Sequence, residues 1–196
     1  MMSKRVILIT GTPCVGKTSA ARLLEAKLDA LYINLTDLAL REHLTSGRDE
    51  RRDTVIVNQS KMTRRIRELI KKTDKENVVV DGHYAVNVVP KNLVTLVFVL
   101  RRDPLELREF MRRRGFSEPK MTENLASEIL DVCLVDAIKA VGNGKTCELD
   151  LTGKSGEDIV GAILEVISDP NKCRIGVVDW LGKLEKEGRL DEFLRI

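Results

Sequence analysis

Apolar residues in this chain fall into short runs, separated by stretches in which they recur at helical spacing. Val6 to Ile9, Leu31 to Leu35, Val78 to Val80, Val94 to Leu100 and Cys147 to Leu151 are the five runs. Near-continuous apolar strands divided by amphipathic stretches predict a parallel sheet covered by helices on both faces. The helical stretches carry end signals. Asp103 stands before Pro104 as an N-cap followed by an N1 proline, Leu105, Leu107, Phe110 and Met111 give that helix an apolar side, and Gly115 can stop it. From Ser155 to Ile167, the positions Ile159, Ile163, Val166 and Ile167 again follow a helical period.

The 196 residues suit one domain. It spans about residues 1–170, with residues 171–196 as a helical extension packed on it. In that tail Val177, Val178, Leu181 and Leu184 form one short stripe, Gly188 interrupts, and Leu190, Phe193 and Leu194 form another. The tail reads as terminal helical turns on the domain, with a docking surface as the alternative.

Composition narrows the class. Hydrophobic residues make up 43% and charged residues 32% of the chain, as in globular proteins, and no apolar run is long enough for a membrane span. Five apolar-rich residues from Val6 to Thr10 lead straight into a glycine-rich turn, which predicts no secretory signal. A net charge of +3 does not argue for nucleic-acid binding. Four cysteines lie far apart at 14, 133, 147 and 173, without a C-x-x-C pair and beside only two histidines. That spacing predicts neither a zinc site nor a disulfide framework, but reduced thiols in a cytoplasmic chain.

The chemistry begins at Gly11-Thr-Pro-Cys-Val-Gly-Lys17-Thr18, which fits G-x-x-x-x-G-K-[ST]. It stands where a phosphate-binding loop must, after a buried strand and before an amphipathic helix. Glycines let backbone N–H groups turn inward around phosphates, and the helix N-terminus adds its positive dipole end. Lys17 is placed for the β- and γ-phosphates, and the Thr18 hydroxyl for Mg²⁺. Gly11, Cys14, Val15, Gly16 and Ser19 complete the expected ATP contacts, with Cys14 as a small loop filler. The fold class is therefore α/β, a three-layer P-loop NTPase fold with about five parallel strands.

A P-loop needs a carboxylate on a neighbouring strand to hold Mg²⁺. Asp81, directly after Val78 to Val80, is the candidate. His83, two residues on, is placed to order water or contact a phosphate. A kinase also needs cations for a second anionic substrate and a lid that excludes water. Arg101, at a strand end, and Arg114, beside Gly115, are the cations chosen for this. Gly115-Phe-Ser-Glu-Pro119 is a short, mobile-looking segment that suits a lid. Arg102, Arg108 and Arg112 read instead as a solvated helix face. The stretch from Asn34 to Val57 holds Asp37, Arg41, Arg48 and Asp49-Glu-Arg-Arg-Asp53. It reads either as an acceptor site or as a solvated loop.

Taken together, Gly11-Thr-Pro-x-x-Gly-Lys-Thr18, Tyr32-Ile-Asn-x-x-Asp-Leu38, Val80-Asp-x-His83, Val97-Phe-Val-Leu-Arg101 and Arg114-Gly-Phe-x-x-x-Lys120-x-x-x-Asn124 resemble the adenylate kinase family. The match is closest to its short-lidded branch, the CINAP-type adenylate kinase-like ATPases. It runs in order over about residues 4–168. The resemblance implies ATP held by Cys14, Gly16, Lys17, Thr18 and Ser19, with Arg114 on ATP from a lid near 113–123. It also implies an Asp81/His83 pair replacing an ordinary carboxylate motif, and Thr152-Gly-Lys154 beside the adenine. Monophosphate binding falls to residues 34–57, with Asp37, Arg41 and Arg101 as its named groups. Leu40 stands where the family carries arginine; Arg41 follows it, about 100° around a helix.

The family resemblance implies a broad nucleoside monophosphate kinase, ATP + AMP giving two ADP with Mg²⁺, that also hydrolyses ATP. It further implies a role in small-ribosomal-subunit maturation through transient binding of an S11-type ribosomal protein. Sequence-specific nucleic-acid binding and a membrane are not among the expected partners. Two other readings stand beside the kinase. One is an ATP-driven assembly factor whose output is release of that protein; the other is a P-loop kinase for another small acceptor, such as a sugar acid.

Overall fold

The structure, a computed structural model, describes residues 4–49 and 54–194. Along the chain run β1 (Arg5–Thr10), α1 (Lys17–Leu28), β2 (Leu31–Asn34), α2 (Leu35–Arg41), β3 (Thr45–Asp49), β4 (Thr54–Val57), α3 (Gln59–Lys72), β5 (Asn77–Asp81) and α4 (Ala85–Val88). Then follow β6 (Leu96–Arg101), α5 (Pro104–Arg113), α6 (Glu118–Ile129), α7 (Val132–Val141), β7 (Thr146–Asp150), α8 (Gly156–Ser168) and α9 (Trp180–Lys186). Five strands form one parallel sheet in the order β2-β5-β1-β6-β7, and β3 and β4 pair as a separate antiparallel hairpin.

The five apolar runs are the five sheet strands, and both faces of the sheet are covered as expected. Alternation along β1 sends Ile7 and Ile9 into a core shared with α1, α5, α6 and α8, and Val6 and Leu8 into one shared with α3, α4 and α7. Leu35 is the exception, since it opens α2 instead of continuing β2. Asn34 caps that helix, its side chain accepting from the Asp37 N–H at 2.9 Å, and turns the chain there. The cap expected at Asp103 forms, and a further one, not anticipated, starts α8. Asp103 accepts from the Leu105 N–H at 2.7 Å ahead of Pro104, and Ser155 and Asp158 make a reciprocal capping box on α8.

Parallel pairing places Asn34 beside Asp81, and Asp81 beside Ile9, at the carboxyl ends of adjacent strands. This is the sheet edge at which α/β proteins bind ligands. No helix among the described residues is long and apolar enough to cross a membrane.

The tail joins the main core. Trp180, Leu184 and Phe193 are buried in the same cluster as α1, α5, α6 and α8, while Val177 and Leu181 of the anticipated stripe are exposed. The reading of reduced, separate thiols is corrected here, because Cys147 and Cys173 form a disulfide with their Cα atoms 5.1 Å apart. The chain after α8 returns alongside β7, the Glu148 N–H donating to the Arg174 carbonyl at 2.7 Å, and this brings two sequence-distant cysteines together. Cys14 and Cys133 remain free thiols.

Closing this loop removes chain entropy from the unfolded state, worth about 3 kcal/mol. Reducing the bond should therefore lower the melting temperature by about 6–12 °C for a domain of this size. A melting curve unchanged by reductant, with thiol titration confirming reduction, would deny the bond that role.

Candidate active site

The loop between β1 and α1 is shaped by glycine where nothing else fits. Gly11 has φ +137°, and a Cβ there would lie 2.3 Å from the Leu100 carbonyl oxygen. Gly16, at φ +115°, forms the entry to α1. Cys14 adopts φ +71°, a left-handed conformation that side chains other than glycine rarely take. Its thiol is pushed up by burial, with the Arg114 guanidinium opposing.

Lys17 folds back over this loop and donates to the Thr12 carbonyl at 2.9 Å. Burial lowers its pKa, and the Asp81 carboxylate works against that. Thr18 donates its hydroxyl to Asp81 Oδ2 at 2.7 Å, so helix α1 and strand β5 bring together the hydroxyl and carboxylate that Mg²⁺ binding needs. No cluster of three or more His, Cys, Asp or Glu side chains among the described residues forms an all-protein metal cage. A single hydroxyl and a single carboxylate are a donor set that could serve Mg²⁺, which keeps several waters and binds through few protein oxygens.

Asp81 is 1% exposed, and the same Oδ2 also accepts from Tyr32 Oη at 3.0 Å and Asn34 Nδ2 at 2.9 Å. Asn34 therefore caps α2 with its oxygen and steadies Asp81 with its nitrogen. Burial, with a smaller push from Asp81, drives the Tyr32 hydroxyl up to about 12, so it stays a donor. His83 lines the cleft and is exposed to it. Burial, with the Lys17 ammonium, lowers its pKa to about 4, so near neutral pH it is an uncharged imidazole. Such a ring can accept a hydrogen bond from water.

Beside the loop lies a cleft of about 580 Å³. Pro13 forms one end. Thr36, Ala39 and Leu40 of α2, with Val55 and Val57 of β4, form a mostly apolar wall, and Phe116 with Lys120, Glu123, Asn124 and Ser127 of α6 forms the facing one. His83 and Tyr84 close it between them. The segment expected to be mobile joins two helices: α5 ends at Arg113 with Arg114 as its cap, residues 115–117 make the turn, and α6 begins at Glu118. From the tip of α5, Arg114 reaches the phosphate loop, its Nη1 lying 3.9 Å from Cys14 Sγ.

Three residues chosen for the acceptor are not in this cleft. Arg101 is 1% exposed and wholly occupied by protein groups. It donates to Glu128 Oε1 at 2.9 Å, to the Glu128 carbonyl at 2.7 Å, to Asp131 at 2.5 Å and to Glu148. Its expected acceptor role is corrected to a structural one, because its guanidinium points into the protein between these carboxylates. Asp37 and Arg41 line a separate hollow of about 320 Å³ behind α2, with Arg22, Tyr32 and Leu69. The one-residue offset that turns Leu40 into the cleft turns Arg41 out of it. Residues 50–53 of the proposed acceptor stretch, Glu50 to Asp53, lie outside the described residues, as does the Arg48 side chain.

Lys154 is exposed in the loop after β7, its ammonium on the Asp150 carbonyl at 2.8 Å. Val15 is buried beneath the loop, and Ser19 is exposed in the first turn of α1.

Of the three arginines read as solvated, Arg112 is exposed and pairs with Glu109. Arg102 is mostly buried; it donates to the Val15 carbonyl at 3.1 Å and to Glu106 at 2.7 Å, bracing the phosphate loop from below. Arg108 lies over the Phe193 ring at 4.6 Å. Glu128 escaped the sequence reading altogether. It is 1% exposed, and its Oε2 accepts from the Thr12 hydroxyl at 2.6 Å. A charged residue standing at a core position of α6, in register with Met121 and Leu125, is the signal that marks it.

With this geometry in place, comparison with known proteins is direct. A family model described as an AAA domain matches residues 7–131. A protein of Pyrococcus furiosus named "Putative adenylate kinase" is 38% identical over 179 residues, covering 89% of this chain and 91% of that one. One of the same name from Methanocaldococcus jannaschii is 35% identical over 177 residues, covering 90% and 93%. The chain belongs to this adenylate kinase-like P-loop family. Among solved structures, a shikimate kinase from Acinetobacter baumannii superposes with a TM-score of 0.60 at 14% identity, over 86% of this chain and 95% of that one. A gluconokinase from Sinorhizobium meliloti gives 0.55 at 15% identity, over 86% and 94%. At such identities these two show the shared fold alone, that of the P-loop kinases.

If Arg101 is structural, replacing it leaves buried carboxylates uncompensated. Arg101→Met should cost about 3–5 kcal/mol of stability, read by denaturant unfolding. A variant as stable as the parent, with only its affinity for an acceptor weakened, would return Arg101 to the binding site.

Proposed function

We propose that this protein is a nucleoside monophosphate kinase of the CINAP-type, short-lidded branch, transferring the γ-phosphoryl group of ATP to AMP with Mg²⁺ and hydrolysing ATP as a side activity. The observation that carries this reading is the Thr18–Asp81 pair, set at the foot of a phosphate loop that opens onto a second, acceptor-sized cleft. A hydrolase needs no such cleft beside its phosphate site. The relatives named as adenylate kinases support the same assignment.

In this reading Lys17 leaves the Thr12 carbonyl for the β- and γ-phosphates. Thr18 and Asp81 would hold Mg²⁺, which would supply positive charge to the phosphate oxygens. Gly11 to Ser19 hold the triphosphate, and Lys154 lies on the adenine side. Arg114, already against the loop, covers the transferring group from the tip of α5. No covalent intermediate on the protein is needed; alignment and cationic stabilisation of the phosphoryl group lower the barrier. An arginine so placed can be worth about 10³–10⁵ in rate. The neutral His83 orders water, or the acceptor oxygen, at the cleft wall.

One observation favours a second reading, that of an ATP-driven assembly factor which binds and releases an S11-type ribosomal protein during small-subunit maturation. The wall of the cleft built by α2 and β4 presents Ala39, Leu40, Val55 and Val57 instead of an arginine, which weakens the case for tight capture of a monophosphate. Both outputs can reside in one chain, since each uses the same nucleotide site.

Lys17→Ala should abolish phosphoryl transfer and hydrolysis together, and undiminished turnover would remove the loop from the mechanism. His83→Ala should slow hydrolysis at least tenfold while changing ATP affinity little, as expected of a group acting on water. Hydrolysis at the parent rate would leave His83 a wall residue only.

A further inference from the structure

The carboxylate of Glu128 takes no part in phosphoryl transfer, yet it joins three parts of the molecule. Oε2 accepts from the Thr12 hydroxyl in the phosphate loop. Oε1 accepts from Arg101 Nε and the Arg102 N–H at the end of β6, and from Trp180 Nε1 at 3.2 Å at the start of α9. The last contact comes from the tail, beyond the part of the chain that makes the sheet.

The tail is held at intervals along the same side of the protein. The Cys147–Cys173 disulfide fixes its beginning, and the Val177 N–H donates to Glu148 Oε2 at 2.8 Å. Lys183 pairs with Asp103, the cap of α5, and Glu192 and Phe193 engage Arg108 in the middle of α5. α5 is the helix that carries Arg114 to the phosphate loop. The tail thus grips the loop through Glu128 and the Arg114 helix through Asp103 and Arg108.

We propose that residues 173–194 act as a strap that positions the nucleotide site, with Trp180 a positioning residue that sets Thr12, and so the phosphate loop, through Glu128. This rests on the nucleotide-site reading above. The physical route is short. Lys17 occupies the Thr12 carbonyl, while the Thr12 hydroxyl is spent on Glu128. When Lys17 turns to phosphates, the Thr12 peptide loses a charged partner and the Thr12–Glu128–Trp180 chain readjusts. A buried carboxylate keeps its geometry only while its donors stay in place, so removing the indole N–H loosens the other end. Couplings carried by such chains change affinity by about two- to thirtyfold.

The chain has a single tryptophan, so its emission reports Trp180 alone. The test titrates the full-length protein with Mg·ADP, following heat by calorimetry and Trp180 emission in parallel. ADP should shift or quench that emission in the parent. Trp180→Phe, which keeps an aromatic ring but loses the indole N–H, should raise the ADP dissociation constant about two- to thirtyfold while circular dichroism stays unchanged. Thr12→Val, which breaks the chain at its other end, should abolish the emission response even where ADP still binds. The strap is overturned if the parent binds ADP with no change in emission, or if Thr12→Val responds like the parent. It is equally overturned if folded Trp180→Phe binds ADP as the parent does. Should Trp180→Phe not fold, the Thr12→Val result decides. No ADP binding by the parent would instead fell the nucleotide-site reading, and the strap with it.

Discussion

The structure turns on one buried cation. Arg101 ends the strand next to β1, where a P-loop protein has its nucleotide edge, and its guanidinium is spent on Glu128, Glu148 and Asp131. Taking these charges out of water is expensive, and only mutual pairing with further hydrogen bonds recovers the cost. The Glu128 and Glu148 carboxylates also receive Thr12, Arg102, Trp180 and Val177. Loop, sheet edge and tail are therefore ordered around the same charges. Burial works against the Arg101 charge, and the neighbouring Glu128 and Asp131 carboxylates outweigh it, holding the guanidinium above its already high ordinary pKa.

Asp81, the carboxylate proposed to face the metal, sits on the other side of β1 and draws on a second, smaller network. Asp81 accepts three donors on one oxygen, from α1, from β2 and from the residue that caps α2. The helix that walls the acceptor cleft is thereby tied to the carboxylate proposed to face the metal. Placement of a phosphoryl donor and an acceptor is the larger part of catalysis in such enzymes, and rigid coupling of this kind provides it.

Much of this was legible in the sequence because it is local. The P-loop is a contiguous motif, the strands are contiguous apolar runs, and the cap at Asp103 acts within two residues. What sequence pattern could not supply is pairing across space. Arg101 and Arg114 look alike as strand-end and helix-end cations, and only the approach of α6 and β7 shows that Arg101 is enclosed. Arg102 and Arg108 read as solvated because their partners, the Val15 carbonyl and Phe193, lie far along the chain. Cys147 and Cys173 are 26 residues apart and become neighbours only when the tail returns along β7. Glu128 and Glu148 carried a usable signal, as charged residues inside apolar periodicity. A buried charge implies a buried partner, and here that partner is Arg101.

The central claim is that phosphoryl transfer to a monophosphate is the reaction this site performs. Incubating the protein with Mg·ATP, with and without AMP, and separating the products by chromatography tests it most directly. The account predicts two ADP formed per ATP consumed when AMP is present, with little free phosphate. Slow release of ADP and phosphate at a rate indifferent to AMP would contradict it, and would mark the cleft as serving hydrolysis and a protein partner instead.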